Sequence, residues 1–179
     1  RAARTLREAM QTGRPLVYVR SPEEHRVARV LAEVGRNAGD VPVWTWSLTE
    51  GLRQDGSSAK IGTHDARKAL DFIVEHGEPA IFHLKDLHEP LKESAEIRRR
   101  LRDVYAASPD RGKFVVISSP VRYVPEEVER SLLFVELRPP DLVELTAFLR
   151  DELGGLEGPD YHQMARALQG LTLDEARYA

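Results

Sequence analysis

Four groups of residues in this chain have types and positions that could do chemistry. Ser21, Glu23 and Glu24 follow a short apolar run, Leu16-Val17-Tyr18-Val19-Arg20, and lead into a helical repeat. Strand, tight turn and helix in that order is where an α/β nucleotide-binding protein cradles phosphate. Asp86 and His88 close a later apolar run, where an acid can hold magnesium and a base can orient water. Ser118 and Ser119 close the next run, a place for a polar sensor of a γ-phosphate. Arg130 precedes the last run, and an arginine so placed can reach a neighbour's nucleotide. The chemistry such a set would serve is magnesium-assisted phosphoryl transfer.

The phosphate cradle itself is not written in this stretch. A phosphate loop needs G-x-x-x-x-G-K-[ST]: glycines let backbone N–H groups converge, lysine reaches the β and γ phosphates, and serine or threonine holds magnesium. The chain offers Arg20-Ser21-Pro22-Glu23-Glu24-His25-Arg26, with no glycine and no lysine. Pro22 removes a donor. Glu23 and Glu24 give the helix start negative charge, each worth about 0.3–1 kcal/mol, and a triphosphate would meet like charge there. Arg20, His25 and Arg26 could still recruit an anion. Leu87 stands where a second, water-orienting acid would be, and Lys85 displaces Asp86 from the first position. Each group also has a plainer account. His88 reads as a surface-loop histidine, Ser118-Ser119 as a loop start before Pro120, and Arg130 as a cation at the negative end of its own helix.

The elements that must position these groups follow from periodicity. Residues 1–12 read as a helix with Leu6 and Met10 on one side. Ser21-Pro22-x-Glu24 reads as a helix start with Ser21 as N-cap, and Val27, Val30, Leu31 and Val34 recur at helical spacing. Residues 41–46 form a second strand with Trp44 and Trp46 on one side and Val41 and Val43 on the other, so both faces of the sheet are covered. The two tryptophans could stack a ligand, but large aromatics dominate cores. Residues 47–62 read as a mobile or functional loop, too long for an ordinary connection. Thr63 is expected to cap the next helix, whose buried stripe is Ala66, Ala69, Leu70 and Ile73.

Residues 79–84, 113–117 and 132–137 read as three further strands. Between them lies a helix over residues 95–107 carrying Arg98, Arg99, Arg100 and Arg102. A nucleic-acid patch is conceivable, but Glu96–Arg100 and Arg99–Asp103 sit four apart and can pair across a solvated face. Residues 124–127 are expected to open a short helix ended by Arg130. Pro139-Pro140-Asp141 leads a helix with Leu142, Leu145, Leu149 and Leu153 inward. A helix with Tyr161, Met164, Ala165 and Leu168 follows, then a capping box at Thr172-x-x-Glu175. The alternation predicts a parallel five-stranded sheet with helices on both faces, followed by the start of a small helical unit.

Composition narrows the class. The chain of 179 residues is 41 % hydrophobic and 31 % charged, as in a soluble globular protein. A net charge of −3 implies no pull toward nucleic acid or anionic membrane. With no cysteine there is no disulfide or thiolate metal site, and a cytoplasmic setting is expected. No apolar run approaches membrane-spanning length. The start at Arg1 and the stop at Ala179 inside a helical pattern are read as those of a piece of a longer polypeptide.

The chain resembles the AAA+ superfamily over nearly its whole length. The likeness rests on the strand order, Ser118-Ser119-Pro120 closing the fourth strand, and Val124-Pro125-Glu126-Glu127-Val128 before the fifth. Leu137-Arg138-Pro139-Pro140-Asp141 leads into lid-like helices, and residues 168–176 look like a lid segment. More narrowly, it resembles the degenerate N-terminal module of the tandem AAA+ ATPases of bacteria, cyanobacteria and plastids. Pro15-Leu16-Val17-Tyr18-Val19 with Glu23-Glu24, residues 43–52, Ile81-Phe82-His83-Leu84-Lys85-Asp86-Leu87-His88, residues 99–103 and Ile117-Ser118-Ser119-Pro120 carry that likeness.

The resemblance implies a P-loop-NTPase-like α/β domain over residues 1–155 and the start of a helical lid over 156–179. It implies no cofactor in this segment, and ATP and magnesium in a downstream module of the parent protein. The expected function is a non-catalytic regulatory or assembly domain. Its partners would be that downstream module, neighbouring subunits and an unknown protein, with no nucleic acid and no membrane. The alternatives are an atypical nucleotide-binding or ATP-hydrolysing domain using Asp86 and His88, and a clamp-loader-like protein-interaction subunit.

Overall fold

The computed structural model describes residues 2–54, 57–154 and 160–179. Strand β1 (Leu16–Arg20) is built from five residues of which the first four are buried, and lies in the interior of the sheet. β2 (Val43–Ser47), β3 (Gly51–Gln54), β4 (Ala80–Lys85), β5 (Lys113–Ser119) and β6 (Leu133–Glu136) complete a six-stranded sheet in the order β3-β2-β4-β5-β1-β6. β1, β2, β4, β5 and β6 pair in parallel, as expected. β3 pairs antiparallel with β2 and is the departure from five strands. It lies inside the stretch read as one long loop. Its edge position asks for little apolar sequence: Leu52 is buried while Arg53 is exposed.

Alternation along the strands sends side chains to two cores. Leu16, Tyr18, Trp44, Trp46, Phe82, Leu84, Val115 and Ile117 face helices α3 (Ala66–Glu75) and α5 (Ala95–Ala107). Val17, Val19, Ile81, Phe114 and Val116 face α1 (Ala2–Gln11) and α2 (Glu24–Asn37), which bring Leu6, Ala9, Val27, Leu31 and Val34. Both tryptophans therefore sit in one core, and Trp46 Nε1 donates to the Thr63 carbonyl at 2.6 Å. Gly35 is required where α2 meets the chain entering β2: a Cβ there would stand 2.6 Å from the Val41 carbonyl oxygen.

Two local expectations are corrected. Thr63 does not cap α3; its Oγ1 accepts from the Leu52 N–H at 2.8 Å and donates to the Lys60 carbonyl, pinning β3. Asp65 is the N-cap, accepting from the Arg67 N–H. Residues 124–127 form no helix; a single 3-10 turn, Glu129–Ser131, precedes β6 and holds Arg130 in the open. The arginines of α5 do pair along the helix, Arg100 with Glu96 at 2.6 Å and Arg99 with Asp103 at 2.7 Å, while Arg98 reaches Glu127 at 2.9 Å.

The chain divides into two compact units at Leu137/Arg138. The second holds α6 (Leu142–Glu152), α7 (Tyr161–Ala167) and α8 (Leu173–Tyr178) around Leu145, Phe148, Leu149, Ala165, Leu173 and Ala176. α6 thus groups with the helices that follow it. The division read at residue 155 falls outside the described residues. Met164, read as inward, is partly exposed, and Thr172 and Glu175 form the expected capping box.

One buried cation holds the first unit together in a way that can be tested. Lys113 opens β5 with 3 % exposure, and its Nζ donates to the Ile73 carbonyl at 2.6 Å and the Val74 carbonyl at 3.0 Å. These are carbonyls of the last turn of α3, where a cation is favoured. Burial holds the ammonium below the ordinary lysine range. Lys113→Met leaves both carbonyls unpaired and should cost about 1–3 kcal/mol. Urea unfolding followed by circular dichroism measures it, and an unchanged midpoint would refute this account.

Candidate functional site at the carboxyl ends of the strands

β4, β5 and β1 are successive neighbours in the sheet, so Lys85-Asp86, Ser118-Ser119 and Arg20-Ser21 finish side by side. The backbone knits them together. The Ser21 N–H donates to the Ser119 carbonyl and the Asp86 N–H to the Ser118 carbonyl, each at 2.9 Å. In a parallel sheet with helices on both faces, this edge is where ligands bind.

The β1–α2 turn is short and carries its own ions. Ser21 Oγ accepts from the Glu23 N–H at 3.0 Å, and α2 starts only at Glu24, with Glu23 (φ −94°, ψ 75°) as N-cap. Ser21 therefore closes a turn ahead of the helix instead of capping it, because Pro22 and Glu23 stay outside the helical turn. Glu23 is turned inward, and its carboxylate meets Arg26 at 2.9 Å, both side chains being 6 % exposed. Glu24 takes the other direction and meets Lys85 Nζ at 3.1 Å. Arg26, read from sequence as an anion recruiter, is engaged by the neighbouring carboxylate.

Two serine–histidine pairs sit on opposite faces of the end of β5. Beneath α1 and α2, His83 Nε2 and Ser118 Oγ share a hydrogen bond of 2.7 Å. His83 is wholly buried, its Nδ1 has no hydrogen-bond partner among the described residues, and burial, aided by the Lys85 charge, pulls its pKa down to about 4. On the other face, His88 Nδ1 and Ser119 Oγ share a bond of 2.9 Å, and His88 Nε2 lies 3.0 Å from Glu89 Oε1. Asp86 Oδ1 is 3.8 Å from the same Nδ1.

His88 is thus buried instead of lying on a surface loop. Asp86 explains why. Its φ of +53° turns the chain sharply after β4, so that α4 (His88–Glu93) starts at once and lays the imidazole back on Ser119. Ser119 Oγ also accepts from the Val121 N–H, and the Tyr18 hydroxyl donates to the Val121 carbonyl at 2.6 Å, so the segment leaving β5 is held from both sides. Burial raises the Tyr18 phenol above its ordinary value.

The structure brings Ser21, Glu23, Glu24, Asp86, His88, Ser118 and Ser119 to one edge. Arg130 stands on the 3-10 turn before β6 and makes no part of this network. His83 and Lys85 belong to the site and were not read as functional groups from their own chemistry. A histidine in the middle of an otherwise apolar strand was the available signal for His83. Among the described residues no group of three or more His, Asp or Glu side chains could hold a metal ion. No described helix is long and apolar enough to cross a membrane.

A mostly parallel sheet in this order, followed in the chain by a helical unit, is the architecture of an AAA+ ATPase domain. The chain belongs to the family described as SpoVK-like AAA ATPase, N-terminal domain, which matches residues 2–137. It is 24 % identical over 169 residues to the AAA domain-containing protein ycf46 of Guillardia theta, covering 91 % of this chain and 33 % of that protein. The chain spans about a third of the length of that relative. Among solved structures, one described as the structural basis for katanin self-assembly superposes with a TM-score of 0.65 at 12 % identity, over 98 % of this chain and 64 % of that one. The FIGL-1 AAA domain in complex with ADP superposes with a TM-score of 0.62 at 15 % identity, over 92 % and 58 %. At such identities these neighbours speak for the fold alone.

Proposed function

We propose that this chain is a non-catalytic AAA+-like regulatory or assembly domain of a larger cytoplasmic AAA+ ATPase, docking onto a downstream module and onto neighbouring subunits. The observation that carries the reading is the occupied seat at the start of α2. Glu24 lies against Lys85 and Glu23 against Arg26, so the cations nearest the turn already face carboxylates of this chain. The amides that a glycine-rich loop would aim at phosphate are here Pro22, which has none, and Glu23, which is bonded to Ser21. These residues do not fit a triphosphate with magnesium, and no phosphoryl-transfer step is routed through them. ATP and magnesium belong, on this reading, to another module of the parent protein. The self-assembly named for the katanin neighbour is in keeping with a subunit-contact role.

Thermal melting with and without millimolar Mg-ATP tests the proposal. A ligand at 100 times its dissociation constant stabilises by about 2.7 kcal/mol, so true binding would move the transition by several degrees. An unchanged melting temperature is expected, and a clear rise overturns the reading.

The second reading, a nucleotide hydrolase using Asp86 and His88, has the proximity of those two side chains in its favour. It predicts ATP turnover that Asp86→Ala abolishes. Against it, His88 spends one ring nitrogen on Ser119 and the other on Glu89. A clamp-loader-like role would appear as co-purification with a sliding clamp.

A further inference from the structure

At the β3 edge of the sheet, away from the carboxyl-end site, three aromatic rings and a histidine gather. Trp44 and Phe72 lie 5.1 Å apart between centroids, Trp44 and Phe82 6.3 Å, and His76 stands edge-on to Trp44 at 5.8 Å and to Phe82 at 5.5 Å. Lys60 reaches over this group. Its Nζ is 5.4 Å from the Trp44 centroid and 5.8 Å from that of Phe72, both within the range where a cation is drawn to a ring face. Two polar atoms of the group, Trp44 Nε1 and His76 Nε2, are buried with no hydrogen-bond partner among the described residues. Trp44 itself is only 7 % exposed.

Three charges act on the His76 ring: Glu78 raises its pKa, while Lys113 and Lys60 lower it. Lys113 is tied to two α3 carbonyls, and no bond or ion pair to Lys60 Nζ is present among the described residues beyond its two ring contacts. Burial keeps His76 below its ordinary value, so the ring adds no positive charge at neutral pH.

We propose that Trp44 and Phe72 form a binding site for an alkylammonium cation, which the chain's own Lys60 occupies as an exchangeable internal ligand. Lys60 is exposed, and its backbone is held independently: its N–H donates to the Leu52 carbonyl at 2.8 Å. The side chain can therefore leave the rings without unfolding β3. Methylated ammonium groups are the natural competitors, since they keep the charge and lose less hydration on meeting an aromatic face.

The test uses tetramethylammonium chloride and the two indole N–H signals of the protein, Trp44 and Trp46. In the wild-type chain the Trp44 signal should shift saturably, and Trp46, bonded to Thr63, should shift less. The tethered Lys60 ammonium competes for the same ring faces, so Lys60→Gln should bind the probe measurably more tightly than wild type. Phe72→Leu should weaken it by about two- to fivefold. Potassium chloride at equal ionic strength should leave Trp44 unmoved. No saturable shift in either wild type or Lys60→Gln, or an equal shift with potassium, overturns the proposal. So does equal affinity in wild type and Lys60→Gln.

Discussion

Replacing Arg26 by methionine is expected to lower the stability of the first unit by about 3–5 kcal/mol, the usual cost of stripping one partner from a buried ion pair. Methionine matches much of the volume of arginine but none of its charge, so the loss reports on Glu23. That carboxylate is 6 % exposed and belongs to the β1–α2 turn. The same turn is bonded to β5 through the Ser21 N–H, so the strain reaches the sheet. For a chain of this size each kcal/mol moves the melting temperature by about 2–4 °C, and calorimetry should show a fall of about 10 °C. Glu23→Gln added to Arg26→Met should restore part of it, because a neutral amide is cheaper to bury than a carboxylate. If Arg26 were instead an anion recruiter, Arg26→Met would leave the melting temperature near wild type and remove a phosphate-dependent rise. The two roles thus separate in a single instrument.

This pair also shows how far the residues could be read before the fold was known. The strands were legible where the apolar run was unbroken. Leu16–Arg20, Ala80–Lys85 and Lys113–Ser119 are nearly all buried, and their order placed Ser21, Asp86 and Ser118-Ser119 at one edge. Pairing by direction was not legible. Glu23 and Glu24 look alike in sequence, yet one turns in to Arg26 and the other out to Lys85, a choice made by the turn that Ser21 and Pro22 impose. β3 escaped notice because an edge strand with a single covered face needs only Leu52 inside. Thr63 looked like a helix cap because threonine before an acid does so often. Tertiary contact with β3 claimed its hydroxyl instead, and Asp65 two residues on took the helix. His88 looked exposed because nothing in Lys85-Asp86-Leu87-His88 announces that Asp86 takes a left-handed turn.

His83 gives the second large effect, in acid. Folded, it stays neutral down to about pH 4, because its ring is buried and Lys85 is close. Unfolded, it takes a proton near its ordinary value of 6.5. Between those values the unfolded chain binds the extra proton, so stability falls as pH drops from 6.5 toward 4 and the loss is complete below 4. A gap of that size corresponds to about 3 kcal/mol. Other groups titrate over the same range, so the quantity to compare is the slope of stability against pH in wild type and in His83→Gln. Glutamine can keep a hydrogen bond to Ser118 Oγ and has no proton to gain. His83→Gln should therefore flatten the acid limb by about 3 kcal/mol between pH 7 and pH 4 in urea titrations, whatever it costs at neutral pH. Parallel slopes in the two proteins would mean that the folded chain can protonate His83 without penalty, through its unbonded Nδ1. In that case the core beneath α2 must admit water, and the buried pair at Glu23 and Arg26 would lose the dry surroundings on which the first prediction depends.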